Sequence, residues 1–400
     1  MRHDKIPVAL ISTMFLTIGV MFCMNDILLP VVKDLFNLTY LEATFIQMSF
    51  YVVYIIWPLM IARTIKKYGY RRNIIGAMVI CMAGCLLFFP AYLLGSYLLI
   101  LLGVFTISTG VTVVNVAANP YAALLGTSDG AHSRLNFVQA FSRIGYAATP
   151  LIATTLIFTT VSDQPQIHIP YIVLAGVIFL VVVFMIVFRM PDFKAEPSTN
   201  DSLIKIFKKS RDYKQLYYGI PTMFFYVGAE ACTSGFFISY MTTHSYSQET
   251  AATFLTFYYV LAALFALIGA WLLRTIRPGK LLAIFGSAML LCYAMVIWGP
   301  TTIAPFALIA MGSFLSIMFP TVFSLAIENL KNFTENGSAL LNMAIVGGAV
   351  FPPLQGMIAD TWGISLSYLI PGICILVVTA YGGLTCSRKN EKTAVATDTY

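Results

Sequence analysis

The sequence predicts an all-α membrane protein of twelve transmembrane helices arranged as two six-helix halves. Three observations carry this. Of the 400 residues, 59% are hydrophobic and only 10% charged, with a mean hydropathy of +0.83. Soluble domains run at roughly 45–50% apolar and 25% charged, so this chain lacks the polar surface a water-soluble fold of its size needs. The apolar residues fall into twelve stretches of about 20, each able to cross ~30 Å of hydrocarbon at 1.5 Å per residue. The basic residues, finally, gather on one side of that pattern.

The first six stretches lie at 7–30, 42–62, 73–94, 97–118, 136–158 and 170–188. The second six lie at 217–240, 250–272, 281–299, 303–327, 336–358 and 366–385. Spans 3 and 4 are parted only by Gly95-Ser96. The first stretch is too long for a signal-peptide core and lacks a small-residue cleavage site, so it reads as a retained span. With the N-terminus inside, all of the 24 Lys and Arg residues except Lys33 and Arg143 lie in inner-side segments. That asymmetry places both termini in the cytoplasm. The net charge of +7 therefore reports topology, and no nucleic-acid partner is expected. The seven cysteines (23, 81, 85, 232, 292, 374 and 386) fall in apolar segments or at their ends, with neither metal-ligand spacing nor a disulfide framework.

The chain divides into an N-terminal half (1–188), a cytoplasmic linker (189–215), a C-terminal half (216–386) and a cytoplasmic tail (387–400). Within the linker, Leu203, Ile204, Ile206 and Phe207 beside Lys205, Lys208 and Lys209 suit either a short helix on the inner leaflet or a solvated tether. The halves resemble each other. Arg63-Thr-Ile ends span 2 and Arg274-Thr-Ile ends span 8; Asn119-Pro120 matches Phe319-Pro320; and the Gly145-to-Pro150 segment matches Gly347-to-Pro352. The offsets stay between 200 and 211, as a parallel repeat requires. Secondary transporters are built this way, with substrate held between the repeats near the midplane.

Chemistry-bearing residues are few. The first apolar run continues past Asn25 and Asp26 to Pro30. This puts the carboxylate within the span and facing a polar interior; an acid at the helix mouth, solvated from outside, is the other reading. A charge at mid-membrane costs about 2.5–3.5 kcal/mol on insertion scales, and such residues usually serve function. Arg143 is the one basic residue inside a span and needs a partner, an aqueous cavity or a snorkelling path. Glu230 lies in span 7 beside Gly228, Ala229 and Ala231.

A resemblance sharpens this reading. The loop Lys66-Lys-Tyr-Gly-Tyr-Arg-Arg72 resembles the signature between spans 2 and 3 of the major facilitator superfamily, with Gly69 free to turn tightly. Further segments resemble its fucose–galactose–glucose:proton symporter family: Asn25-Asp-Ile-Leu-Leu-Pro30, Ala117-Ala-Asn-Pro-Tyr121, Ser133-Arg-Leu-Asn136 with Gln139-Ala-Phe141, Tyr226-Val-Gly-Ala-Glu230, Ser316 to Leu325 and Ile345 to Pro353. They recur in the same order over all twelve spans.

The resemblance implies a major facilitator fold and a monomeric transporter of the bacterial inner membrane, with no cofactor or bound metal. It would import a monosaccharide together with a proton by alternating access. Asp26 then stands at the family's proton-linked span-1 aspartate, where a carboxylate out of water can take up and release a proton. Glu230 stands at a position held by Glu in the glucose–galactose branch and Gln in the fucose permease, and would bind sugar or share the proton. Asn25, Gln47, Asn119 and Gln139 offer donors and acceptors for sugar hydroxyls; the other reading is interhelical hydrogen bonding worth roughly 0.6 kcal/mol each. Aromatic residues such as Phe50, Tyr51, Tyr54, Tyr226, Phe236, Tyr258 and Tyr259 serve either as stacking surfaces or as core.

Three positions depart from the family pattern. Lys66 stands where many members carry Asp. Asn115 replaces the family's second acid and cannot titrate. Arg143 stands where the fucose permease branch has a small polar residue. Either Arg143 answers Asp26 or Glu230 within the cavity, or a carboxylate on the substrate answers it. The latter opens an alternative, transport of a small organic anion or acidic sugar. A receptor without flux is a third class, disfavoured because no large extramembrane segment exists. No nucleophile–base, metal-ligand or G-x-x-x-x-G-K-[ST] pattern supports an enzyme or an ATP-driven pump.

Overall fold

In lipid every backbone polar group must find a partner inside the protein, and the chain meets this demand with helices. The computed structural model describes residues 5–125, 131–157, 165–188, 191, 203–273, 275–328, 330 and 333–397. Side chains at 5–6, 59, 62–63, 66, 119–120, 123–124, 131–136, 203–206, 334–335 and 387–397 lie outside the description.

Twelve crossings follow in order. Span 1 is Lys5–Leu35. Span 2 is broken into Tyr40–Ala43, Phe45–Tyr51 and Val53–Ile56, then continues into Pro58–Leu86, which turns at Gly69 (φ 78°) to become span 3. Span 3 closes with Phe88–Leu93. Spans 4, 5 and 6 are Tyr97–Leu124, Ala131–Ile157 and His168–Val187. A short helix, Leu203–Ser210, precedes span 7, which is Lys214–Gly235 plus Phe237–Thr243. Spans 8 and 9 are Gln248–Leu272 and Pro278–Trp298. Span 10 is Ala304–Leu315 with Met318–Ile327, and span 11 is Thr334–Met343 with Gly347–Trp362. Span 12 is Ile364–Ser367 with Leu369–Thr397.

The expected boundaries hold to within a turn or so at most ends. Span 1 runs past Pro30 to Leu35, and the last helix continues to Thr397, through most of the segment expected as a tail. No Gly or Pro stands between Thr385 and Thr397 to stop it. In the linker, a helix does form at Leu203–Ser210; residues 189–190 and 192–202 lie outside the description. Among the described residues, nine crossings are long and apolar throughout; the other three are spans 2, 5 and 7, which are broken or carry polar side chains. Those three help build the polar seam described below.

Each half is locked by a backbone crossing. In the N-terminal half, a Cβ on Gly19 would sit 2.0 Å from the Ser142 carbonyl oxygen, and one on Gly145 would sit 2.3 Å from that of Leu16. Spans 1 and 5 therefore touch main chain to main chain, the close approach that small residues allow in membranes. In the C-terminal half a Cβ on Gly347 would sit 1.9 Å from the Phe224 carbonyl oxygen, joining spans 11 and 7 in the same way. Gly145 and Gly347 are the matched glycines of the internal repeat, so the repeat encodes a packing contact.

Candidate site along the seam between the halves

The halves meet where span 2 faces span 11 and span 5 faces span 8. Polar ties across this seam run from one end of the molecule to mid-depth.

At the end, Asp360 of span 11 accepts hydrogen bonds from the backbone N–H of Tyr40 (2.8 Å to Oδ1) and of Leu41 (2.9 Å to Oδ2). These are the first two residues of the helix opening span 2. A carboxylate at the C-terminal end of its own helix is on the wrong side of that helix's dipole; here it finds the positive end of another. The remaining donors of that turn are met locally. Thr39 Oγ1 accepts from Glu42 N–H, and Glu42 Oε2 accepts from Thr39 N–H at 2.8 Å, a reciprocal cap. Gly356 brings span 11 against the Leu41 backbone, where a Cβ would lie 2.9 Å away. The Tyr40 ring stacks on Phe236 of span 7 at 5.8 Å.

One level deeper, Gln47 Nε2 donates to the Ala231 carbonyl of span 7 at 3.0 Å, and Gly235 leaves room for that side chain. Gln47 thus ties the halves together through one arm of its amide. Near mid-membrane, Tyr259 of span 8 donates its hydroxyl to Asp26 Oδ2 of span 1 at 2.7 Å. The carboxylate is buried at 5% exposure and faces Gln47, Ser234 and Glu230. Span 1 delivers it there because Asp26 lies two turns beyond the Gly19 crossing that fixes the helix against span 5.

Glu230, half-buried on span 7, lies beside Tyr226 and in the field of Arg143. Arg143, also half-buried, donates Nη2 to the Ser316 carbonyl of span 10 at 3.5 Å. The one ion pair within 4.0 Å among the described residues is Lys33–Asp34, so Arg143 acts on Glu230 without touching it. Aromatic rings line the same region. Tyr146 of span 5 stands between Phe22 of span 1 at 5.9 Å and Tyr259 at 5.1 Å, a bridge from one half to the other.

The structure therefore brings together Asp26, Gln47 and Glu230, with Arg143 at the edge of the group. It sets other expected residues apart. Asn25, although adjacent to Asp26, turns into the N-terminal half. It faces a small apolar void lined by Met21, Phe50, Val104, Ile107 and Tyr171, and neither of its amide atoms has a partner among the described residues. Asn115 donates Nδ2 to Tyr54 Oη at 3.2 Å, a bond within the N-terminal half. Gln139 is exposed one turn before Arg143 on the same face of span 5. The Asn119 side chain lies outside the described residues. Sequence reasoning missed Asp360 and the hydroxyl role of Tyr259. The signal for the latter was available: a buried tyrosine usually finds a hydrogen-bond partner.

Twelve crossings in two glycine-locked halves, meeting along a seam with acids and an arginine at mid-depth, define a transporter architecture. Comparison with known proteins agrees. A profile of the Major Facilitator Superfamily matches residues 9–346. A glucose/galactose transporter of Brucella abortus is 34% identical over 382 residues, covering 93% of this chain and 92% of that protein. The L-fucose-proton symporter of Escherichia coli is 29% identical over 405 residues, covering 94% and 92%. A crystal structure of FucP in the outward conformation superposes with a TM-score of 0.71 at 28% identity, covering 96% of this chain and 99% of that one. The chain belongs to the Major Facilitator Superfamily, in its fucose permease-like branch.

Proposed function

We propose that this protein is a proton-coupled symporter importing a monosaccharide across a bacterial inner membrane by alternating access, with both termini cytoplasmic. The observation that carries the reading is Asp26, held inside the membrane by a hydroxyl from the opposite half. Charge counting supports it. Asp26, Glu230 and Arg143 together bear a formal charge of −1 when all are ionised, and one bound proton makes the seam neutral. A low-dielectric site favours that neutrality. Asp26 and Glu230 are the proton-coupling candidates. Gln47 beside Asp26, and Gln139 on the Arg143 face of span 5, are the candidates for hydrogen bonds to a sugar, with Asn119 the further candidate from the sequence.

The relatives support the substrate class, since those matched over nearly their whole length carry glucose, galactose or fucose in their names. Alternating access is supported by a contrast of states: FucP was captured in its outward conformation, whereas the present structure ties the Asp360 end shut. In the proposed orientation that end is external.

One observation favours a second reading. Arg143 makes a single long hydrogen bond among the described residues, leaving guanidinium donors for a substrate carboxylate. Counterflow in proteoliposomes against a panel of neutral monosaccharides and small organic acids separates the two. Exchange of a neutral hexose supports the proposal. Exchange of acids with no response to any neutral sugar overturns it in favour of the anion.

A further inference from the structure

We propose that Tyr259 is a positioning residue that transmits the charge state of Asp26 to the opposite half, holding span 8 to span 1 while the carboxylate is ionised and letting them part once it is protonated. This rests on the symport reading above and adds the device by which a bound proton would reach the conformational change.

The geometry is specific. Donor and acceptor come from different halves, are 2.7 Å apart, and are both buried, Asp26 at 5% and Tyr259 at 8% exposure. They lie at similar depth: Asp26 is nine residues before the end of its helix at Leu35, and Tyr259 eleven residues after the start of its helix at Gln248. Any rocking that opens the Asp360 end draws span 8 from span 1 and must break this bond.

The surroundings explain why the bond reports charge. The groups facing Asp26 are Cys23 on its own helix, Gln47 and Tyr51 from span 2, Tyr146 from span 5, Glu230 and Ser234 from span 7, and Tyr258 with Tyr259 from span 8. None is a cation. Arg143, the cation of the seam, acts on Glu230 from beyond 4.0 Å. The ionised form of Asp26 is therefore answered by dipoles, and the dipole at full hydrogen-bonding length belongs to the other half. A hydrogen bond to an ionised acceptor is roughly twice as strong as a neutral one. Protonation thus weakens the tie at the moment it neutralises the seam. The Tyr259 ring is held independently, against Tyr146 at 5.1 Å and Tyr258 at 5.0 Å. Phenylalanine can therefore keep the packing and remove the hydroxyl alone.

The test needs no substrate. Spin labels on Leu94→Cys and Trp298→Cys, exposed positions at the Asp360 end of opposite halves, report opening of the full-length protein by pulsed distance measurement. In otherwise unaltered protein, lowering the pH from 8 to 6 is expected to shift the closed-to-open ratio about tenfold. Tyr259→Phe is expected to cut that response below twofold and to lie open at both pH values. In an Asp26→Asn background, adding Tyr259→Phe is expected to change the ratio less than twofold. Tyr146→Phe, which trims a neighbouring hydroxyl that makes no bond to Asp26, should leave the response intact. A full response in Tyr259→Phe overturns the inference and leaves symport standing. No response in the unaltered protein points instead at the proton-coupling reading itself. Loss of response in both Tyr259→Phe and Tyr146→Phe assigns the effect to packing and also overturns the inference.

Discussion

Removing the Asp360 carboxylate should open the end of the molecule that it closes. In the closed state Asp360 satisfies two backbone donors of span 2, at 2.8 and 2.9 Å, that no local group reaches. In the open state water takes them. The site is exposed, so the difference is small: losing a cap costs about 0.5–2 kcal/mol, and the helix dipole adds about 0.3–1 kcal/mol at such a surface. Asp360→Ala should therefore move the closed-to-open equilibrium by about 1–2 kcal/mol toward open, roughly a five- to thirtyfold change. Asp360→Asn keeps one acceptor and loses the charge, and should fall between. The Leu94–Trp298 label pair reads this directly. Glu42→Gln is the informative control. Glu42 caps the same turn from within its own half and is present in both states, so its loss should lower stability without shifting the equilibrium. A distance distribution unchanged by Asp360→Ala, or one moved more by Glu42→Gln, would refute the reasoning.

Other expectations follow from the same geometry. Gly145→Val forces a Cβ into the Leu16 carbonyl and should lower thermal stability in detergent by about 1–3 kcal/mol or prevent folding; Gly176→Ala, where nothing lies within 4 Å, should be silent in the same melting assay. Asp26→Asn should abolish proton-driven accumulation in vesicles while retaining counterflow; full accumulation by the mutant would move the coupling role to Glu230. Arg143→Gln should leave neutral-sugar exchange within a few-fold and alter its pH dependence; collapse of anion exchange with sugar unaffected would support the anion reading. Impermeant maleimide on whole cells should reach Ser245→Cys and miss Arg277→Cys, and the reverse would invert the proposed topology.

The architecture was largely legible because its causes are local or periodic. Apolar run length set the spans, and the matched glycines at 145 and 347 announced the repeat before their packing contacts were visible. Asp26 stood out since an acid within an apolar run has to be accounted for. The seam was harder to read. Asp360 meets residues some 320 positions away and Tyr259 meets one 233 away, and no local pattern encodes either pairing. Asn25 shows the converse. Adjacency to Asp26 suggested a shared site, yet neighbours on a helix point about 100° apart, and one faces the seam while the other faces the packed interior of its half.

The cap on span 2 bears on how the chain is made. Contacts that hold each half together, such as the span 1–span 5 crossing, form among residues synthesised within one half. The first turn of span 2, by contrast, waits for Asp360, which is made at the far end of span 11, after the eight crossings that lie between. The early half can therefore insert and lock while its outer rim and the Asp26 face stay hydrated, and the late half arrives as a lid to an already finished bundle. Biogenesis on this plan is docking of two preassembled parts, so the chain severed within its linker should still reconstitute when both fragments are expressed together.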